Sequence, residues 1–509
     1  MIERLCKARV GGSFWGARPA LAQGCIVVKC RAGEIPPLRL PADGTIVLWT
    51  DAPHQVPPAA HPARILTGEI DPWHILDHAA QVIAPPDEAL AVLARLRGIP
   101  ATDSTTGAPL ARDAEARQAL AWDMLVAGLD YHEPFNGAAI SAEAAIDLLG
   151  EWRRHLEVTA GIAVQLGMRA WKRGQIDRFL ARGSDTPHHA NGTADALAKA
   201  RAGNAAVAIW PSRVPPGFEA SAAAADVPIV RIEDGFLRSL GLGVDLVPPQ
   251  SIAVDRQGVH YDPSRPSDLE ALLSQHPFPP ELLRRAAALR AAIVAAGIGK
   301  YGRAGGESPV VLPPGRRSIL VIGQVADDRS VRLGDVAGLG NSGLLRGARA
   351  LAPDAYLVYK PHPDVLAGHR RGALDRDVRG LADKILDAPC SLAPLLDCVD
   401  EVHVLTSLAG FEALLRERAV TCHGAPFYAG WGLTRDLVAV QRRERRLSLD
   451  ALVAAALLLY PLYLDPGTGL PCSAERLVEC LAGAAPRASL LTRLRRIEGK
   501  ARGVLRRAA

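Results

Sequence analysis

No two of the eight cysteines are spaced as CxxC, and no His/Cys spacing suits a zinc ligand set. They are scattered in mostly apolar surroundings, which predicts reduced, buried and chemically inert thiols. A long hydrophobic run is lacking too. The longest, 451–464, is interrupted by Pro461 and falls short of the roughly 20 residues a membrane-spanning helix needs. The N-terminal MIERLCKARVGGSFWG has charges but no apolar stretch before a small-residue cleavage site, so no secretory signal is expected and the protein reads as cytoplasmic. No Walker loop occurs, and Gly241-Leu-Gly243 stops short of GxGxxG, which argues against P-loop chemistry and hydride transfer.

Charge of one sign is also scarce in the body of the chain. The net charge is +5, but residues 491–509 carry seven basic residues and one acidic one, so the other 490 residues sum to −1. A polyanion-binding body is excluded, and no nucleic-acid partner is expected. The tail spaces Leu491, Leu494, Ile497, Ala501, Val504, Leu505 and Ala508 by threes and fours, with arginines opposite. Two readings stay open: a helix lying peripherally on an anionic membrane, or one docked on the body with a solvated basic face.

What is present is an ordinary globular composition, 49% hydrophobic and 22% charged over 509 residues, enough for two to four domains. Short β-branched runs at 206–210, 227–232, 252–254, 318–322, 356–359, 402–405 and 419–422 read as strands. They alternate with helical patterns at 269–274, 280–297, 342–350 and 410–416, which predicts an α/β fold with parallel sheets covered on both faces. Breaks at SDTPHHANGT (184–193) and VVLPPGRRS (310–318) divide it into two Rossmann-like domains facing a cleft. The expected boundaries are a degenerate α/β N-terminal segment 1–135, a helical connector 136–193, a first Rossmann-like, acceptor-side domain 194–308, a second, donor-binding one with bracing helices 309–484, and the tail 485–509. A faint internal repeat pairs 71–100 with 391–420, each a Leu-Asp turn, an apolar strand, a turn and a helix. Pro85 and Pro86 then fall opposite Thr406 and Ser407. This makes the first ~130 residues a module remnant, with chance likeness of two αβ units as the other reading.

Four segments at inferred strand ends carry chemistry. In Arg231-Ile-Glu-Asp-Gly, Glu233 or Asp234 can serve as a general base toward a hydroxyl, or cap the next helix. In Gly323-Gln-Val-Ala-Asp-Asp-Arg-Ser330, Asp327 and Asp328 stand where a cap, a metal ligand or a nucleophile would. In Lys360-Pro-His-Pro-Asp364, His362 is held on a stiff segment and, with Lys360, can donate to phosphate oxygens. In Thr406-Ser-Leu-Ala-Gly-Phe-Glu412, hydroxyls open a helix whose N–H groups suit phosphate, and Glu412 can accept from ribose. A phosphate site plus carboxylates between two αβ domains fits nucleotide-sugar transfer.

RIEDGFLRSLGLG (231–243), KPHPDVLAG (360–368), TSLAGFEALL (406–415) and APFYAGWGLTRD (425–436), in this order, resemble the capsular-polysaccharide β-Kdo transferases, the KpsC/LipB-like proteins. VHYDPSRPSDLEALL (259–273), GKYG (299–302) and GQVADDRS (323–330) add to the match, which spans about 200–480. The resemblance implies a cytoplasmic GT-B-type enzyme, on the inner-membrane face if the tail binds there. It would use CMP-β-Kdo with retention, act on a glycolipid or Kdo-oligosaccharide acceptor, and work beside capsule biosynthesis and export proteins. No cofactor or metal is implied. One intact module implies one transferase activity.

For the site, the resemblance implies Asp328 as nucleophile with Asp327 as its near competitor, and Glu233 or Asp234 as base. Val325 stands where the family prefers Thr. Donor binding would fall to Gln324, Ser330, Lys360, His362, Thr406, Ser407, Gly410 and Glu412, with Arg238, Tyr428 and Trp431 as further site residues. The Phe427–Trp431 aromatics either pack the hinge or stack on base or sugar. The pairs Glu233-Asp-Gly, His362-Pro and Thr406-Ser also resemble bacterial sialyltransferases. An inverting CMP-sugar transferase is therefore one alternative, and a non-catalytic capsule-assembly partner another.

Overall fold

The computed structural model describes residues 1–30, 45–51, 64–183, 185–238, 247–299, 302–303, 311–388 and 390–483. Gly241-Leu-Gly243, Lys300-Tyr301 and the basic tail lie outside the described residues. The chain divides into two units, 1–158 and 159 onward.

The first unit is a five-stranded sheet of β1 (Cys25–Lys29), β2 (Ile46–Trp49), β3 (Arg64–Leu66), β4 (Ala79–Ala84) and β5 (Ala101–Asp103), all parallel, in the order 3-2-1-4-5. Its core gathers Val27, Val47, Trp73, Ile75, Val82 and Leu90. Asp71, fully buried, caps helix Pro72–His78 through Trp73 N (3.0 Å) and pairs with Arg153 (2.8 Å) and Arg18 (3.0 Å). A buried carboxylate is tolerable only with such partners.

The second unit holds two α/β lobes. The first lobe's sheet comprises β6 (Ile162–Leu166), β7 (His188–His189), β8 (Ala206–Ile209), β9 (Ile229–Asp234) and β10 (Ser251–Asp255). The second lobe's comprises β11 (Ser318–Ile322), β12 (Tyr356–Lys360), β13 (Lys384–Ile385), β14 (Glu401–Val404), β15 (Ala419–Cys422) and β16 (Arg435–Asp436). It is parallel throughout, in the order 13-12-11-14-15-16. Its central strand, Ser-Ile-Leu-Val-Ile, is buried along its whole length, as a parallel strand covered on both faces must be. The two Rossmann-like lobes facing a cleft match the architecture expected from the alternation of strands and helices.

Four details differ from the sequence reading. The stretch 136–193 is not one helical connector: helix Ala142–Val158 belongs to the first unit, while β6, helix Ala170–Leu180 and β7 build the first lobe of the second. Strand β6 escapes an apolar-run search because Gln165 interrupts it; that side chain is buried and donates to Asp177 (2.7 Å). Strand β10 pairs antiparallel to β9, so the first lobe is mixed rather than purely parallel. The segment 447–464 forms helix Leu449–Val453 and a π turn at Ala454–Leu459. It then crosses to the first lobe as β17 (Pro461–Tyr463), antiparallel to β10. Pro461 is tolerated because β17 is an edge strand. Finally, the eight cysteines form no disulfide, but burial is not uniform: Cys25, Cys30, Cys422 and Cys472 are buried, whereas Cys398 is exposed.

The strand order of the first unit, 3-2-1-4-5, recurs in β11–β15. In both, a short helix leads into the fourth strand and a second helix joins it to the fifth: Pro72–His78 and Ala89–Arg97 in one, Leu392–Cys398 and Leu408–Leu415 in the other.

Candidate active site in the cleft of the second unit

In open α/β sheets, ligands bind beyond the carboxyl ends of strands, where the strand order reverses. In the second lobe that point lies between β11 and β14, followed by Gln324 and Thr406. Two cavities of 650 and 500 Å³ open there, and Asp328, His362, Pro363, Asp364 and Arg370 line both. The larger cavity has walls from both lobes: Lys172, Trp210, Glu233, Asp234, Arg238 and Tyr261 on one side, Asp327, Asp328, Arg329 and Arg332 on the other. The smaller is lined mainly by the second lobe, by Gln324, Ser330, Lys360, Ser407 and Glu412, and is closed on one side by Gly297 and Gly299.

Three of the expected residues are helix caps. Asp328 caps Arg329–Gly334, its Oδ1 accepting from Ser330 N (2.9 Å) and Ser330 Oγ (2.8 Å). Its neighbour Asp327 is exposed and salt-bridged to Arg370 (3.0 Å), which holds its carboxyl below the usual range. His362 caps the turn Pro363–Leu366, with Nδ1 accepting from Asp364 N (3.1 Å). In the neutral ring that bond places the proton on Nε2, so Nε2 is the donor. Ser407 caps Leu408–Leu415 through Ala409 N (3.2 Å).

Thr406 lines neither cavity. It braces Gln324 instead: Thr406 N donates to Gln324 Oε1 (2.9 Å), and Gln324 Nε2 donates to Thr406 Oγ1 (3.0 Å). Gly410, Tyr428 and Trp431 also stand behind the walls. Tyr428 and Trp431 are fully buried; Trp431 Nε1 donates to Phe427 O (2.9 Å), and the Tyr428 hydroxyl donates to Ser407 O. A Cβ at Gly410 would meet Tyr428 Oη at 2.2 Å. The aromatic loop is thus packing that supports the Ser407 turn from beneath, and Gly410 makes room for it. Phe427 stacks on Phe236 of the first lobe at 4.5 Å. Gly299 meets the buried Glu412 so closely that a Cβ there would lie 2.9 Å from Oε2.

The two carboxylates at the end of β9 differ in their surroundings. Asp234 takes Lys172 Nζ on Oδ1 (2.9 Å) and Arg238 Nε on Oδ2 (2.8 Å). Arg238 is buried and also donates to Val247 O (2.8 Å). Lys172 lies 3.7 Å over the Trp210 ring, and burial pulls its ammonium below the ordinary lysine value despite Asp234. Glu233 Oε1 instead accepts from the Tyr261 hydroxyl (2.8 Å). Burial, and then Glu233 itself, push that phenol well above its ordinary value.

Several of these residues were beyond sequence reasoning. Lys172 and Trp171 follow β6, a strand the pattern does not reveal. Tyr261 sits in VHYDPSRPSDLE, which carries the family resemblance without indicating a role. Asn341, nearly buried on helix Gly340–Leu351, had no signal at all. It accepts from Gln324 N (2.9 Å) and donates to Gln324 O and Gly372 O (2.7 Å each).

The pattern of the family described as capsule polysaccharide biosynthesis protein matches residues 205–296 and 288–464, about half of the chain. The capsule polysaccharide modification protein LipA of Neisseria meningitidis serogroup A is 37% identical over 358 residues, covering 69% of this chain and 50% of LipA. The lipopolysaccharide-processing protein LpsZ of Rhizobium meliloti is 46% identical over 261 residues, or 50% of this chain and 59% of LpsZ. The chain thus spans between half and three fifths of these relatives. Among solved structures, the β-Kdo 2,4 transferase of Thermosulfurimonas dismutans KpsC is 33% identical with a TM-score of 0.55. The alignment covers 63% of this chain and 98% of that one. The β-Kdo 2,7 transferase of the same KpsC gives 32% and 0.50 over the same shares. With the match running from the first lobe through the cleft to β17, this chain belongs to the capsule polysaccharide biosynthesis protein family.

Proposed function

We propose that this chain is a retaining glycosyltransferase that moves Kdo from CMP-β-Kdo to an acceptor hydroxyl in capsule polysaccharide assembly. The observation that carries the reading is the position of Asp328, in the wall of both cavities. On one side stand the donors Lys360, His362 and Ser407; on the other, Glu233 projects from the facing lobe. The likeness to the two KpsC β-Kdo transferase structures supports Kdo as the sugar.

In the proposed chemistry the Asp328 carboxylate attacks the anomeric carbon. The bond to the CMP phosphate oxygen breaks, and CMP leaves with the electron pair. Lys360, His362 Nε2 and the start of helix Leu408–Leu415 stabilise the charge on the departing phosphate. The acceptor oxygen then attacks the same carbon, the Asp328–sugar bond breaks, and the acceptor proton passes to a carboxylate at the end of β9. Glu233 suits that step better than Asp234, whose two cationic partners weaken it as a base. Two displacements return the original configuration.

The same reading assigns the larger cavity to a glycolipid or Kdo-oligosaccharide acceptor and places the enzyme in the cytoplasm beside capsule biosynthesis and export proteins. It also takes the first unit as a module remnant. The shared strand order supports this, although the helix starts shift the correspondence read from the sequence: Glu88, not Pro86, stands at the cap position that Ser407 occupies in the second lobe, and it makes no side-chain cap.

The test is product stereochemistry, read by NMR after incubation with CMP-β-Kdo and a soluble β-Kdo glycoside. A β-linked product supports retention; an α-linked one replaces it with the inverting alternative. CMP-β-Kdo binding with no transfer would favour the assembly-partner reading.

A further inference from the structure

The Glu233 side chain is hydrogen-bonded by a residue that no other step of the chemistry uses. Tyr261 lines the larger cavity and donates to Glu233 Oε1 at 2.8 Å. Its backbone is held on both sides. Ahead of it, His260 lies edge-on to Phe236 (4.9 Å between ring centres) and to Phe427. Behind it, Asp262 accepts from Ser264 N (3.0 Å) and pairs with Arg265 (3.3 Å), which in turn pairs with Glu219 (3.0 Å). A phenol fixed this firmly can set the direction of a carboxylate rather than follow it.

Resting on the proposed transferase reading, we propose that Tyr261 is the positioning residue of the acceptor half-reaction. It fixes the Glu233 carboxylate through Oε1 and keeps it ionised, ready to take the acceptor proton. A hydrogen bond from a neutral donor favours the charged form of a carboxylate and so lowers its proton affinity. Other charged and titratable groups also act around the pair. Lys172 of helix Ala170–Leu180 and the Tyr460 hydroxyl act electrostatically on Glu233, Asp328 and Arg329 act on Tyr261, and Asp234 and Arg238 share the same cavity wall. Tyr261→Phe leaves all of these in place and removes one hydroxyl.

The experiment uses the full chain, CMP-β-Kdo and a soluble β-Kdo glycoside. Transfer, and the first-turnover burst of CMP released without acceptor, are each followed against pH. Tyr261→Phe should slow transfer and move the acid limb of its pH profile upward by about one pH unit, a tenfold rise in proton affinity. CMP release without acceptor should stay within about twofold of the unsubstituted protein. In a Glu233→Gln background the acid limb should be absent, and Tyr261→Phe should add no further loss. A uniform loss at every pH with the limb unmoved would overturn the proposal and leave Tyr261 a packing residue, as would an equal slowing of acceptor-free CMP release. If the unsubstituted protein releases no CMP and makes no product, the transferase reading fails first, which is a separate result.

Discussion

Asn341 offers a sharp test because its amide is wired in one orientation only. Its Oδ1 accepts from Gln324 N, and its Nδ2 donates to two carbonyls at 2.7 Å. The segment it clamps leads directly to Asp328, and a second bond from Ala326 N to Arg371 O (2.9 Å) joins the same two loops. Asn341→Ala removes three hydrogen bonds at about 1 kcal/mol each and leaves their backbone partners to find water, for a cost of about 2–4 kcal/mol. Asn341→Asp is nearly isosteric, yet it sets a carboxylate oxygen against two carbonyl oxygens. It should cost at least as much at pH 7. The sign of its pH dependence follows. Protonation restores a donor, so the folded state raises the carboxyl's proton affinity, and the variant's deficit relative to the original protein should shrink as pH falls from 7 toward 5. Urea denaturation at several pH values measures this. Displacing the loop by about 1 Å should also lower turnover by about 10²-fold. If Asn341→Asp is as stable as the original at pH 7 and turns over CMP-β-Kdo normally, the clamp does not position the loop.

Other outcomes follow from the same geometry. Gly410→Ala drives a methyl into Tyr428 and should lower stability by about 1–3 kcal/mol in a thermal melt, weakening CMP binding with it. His423 is buried beside His403 (3.0 Å between ring nitrogens), and burial first, then His403, bring it down to about 4. The folded state therefore holds fewer protons than the unfolded chain between about pH 6.5 and 4. The neutral ring's contribution, about 3 kcal/mol, is full above pH 6.5 and lost as pH falls to 4. His423→Gln should flatten the acid limb of stability over that window in denaturation titrations. His362→Ala removes the Nε2 donor together with the Nδ1 cap on Asp364 N, and should lower turnover by about 10²–10³-fold in a CMP-release assay at a stability cost of only about 1 kcal/mol in a melt.

The parts legible in the sequence were those where chain pattern and local chemistry agree. The buried strand Ser318–Ile322 reads as a continuous apolar run, and Asp328 and Ser407 stand at strand ends where a helix must begin; that His362 is also a cap is visible only in the structure. What escaped depends on distant parts of the chain. Strand β6 carries a buried Gln165 that mimics a loop residue, and with β6 hidden, Lys172 and its pairing with Asp234 could not be placed. Gly410, Tyr428 and Thr406 were visible as a motif, but only packing shows that they shape the site from behind. Asn341, 17 residues beyond Gln324 on a separate helix, has no local signature. The crossover that returns 461–463 to the first lobe is fixed by pairing with β10, about 200 residues away in sequence.

The central claim is that Asp328 carries the sugar between the two half-reactions. Intact-protein mass spectrometry after brief incubation with CMP-β-Kdo, without acceptor, tests it most directly, beside Asp328→Asn. Asparagine is as good a helix cap as aspartate, so this variant should keep the fold and its stability to within about 0.5 kcal/mol while losing the nucleophile. The account predicts a one-Kdo mass increase in the original protein, located on Asp328 by peptide mapping and absent from the variant. An adduct that persists in Asp328→Asn, or transfer to acceptor at an undiminished rate in that variant, would contradict it.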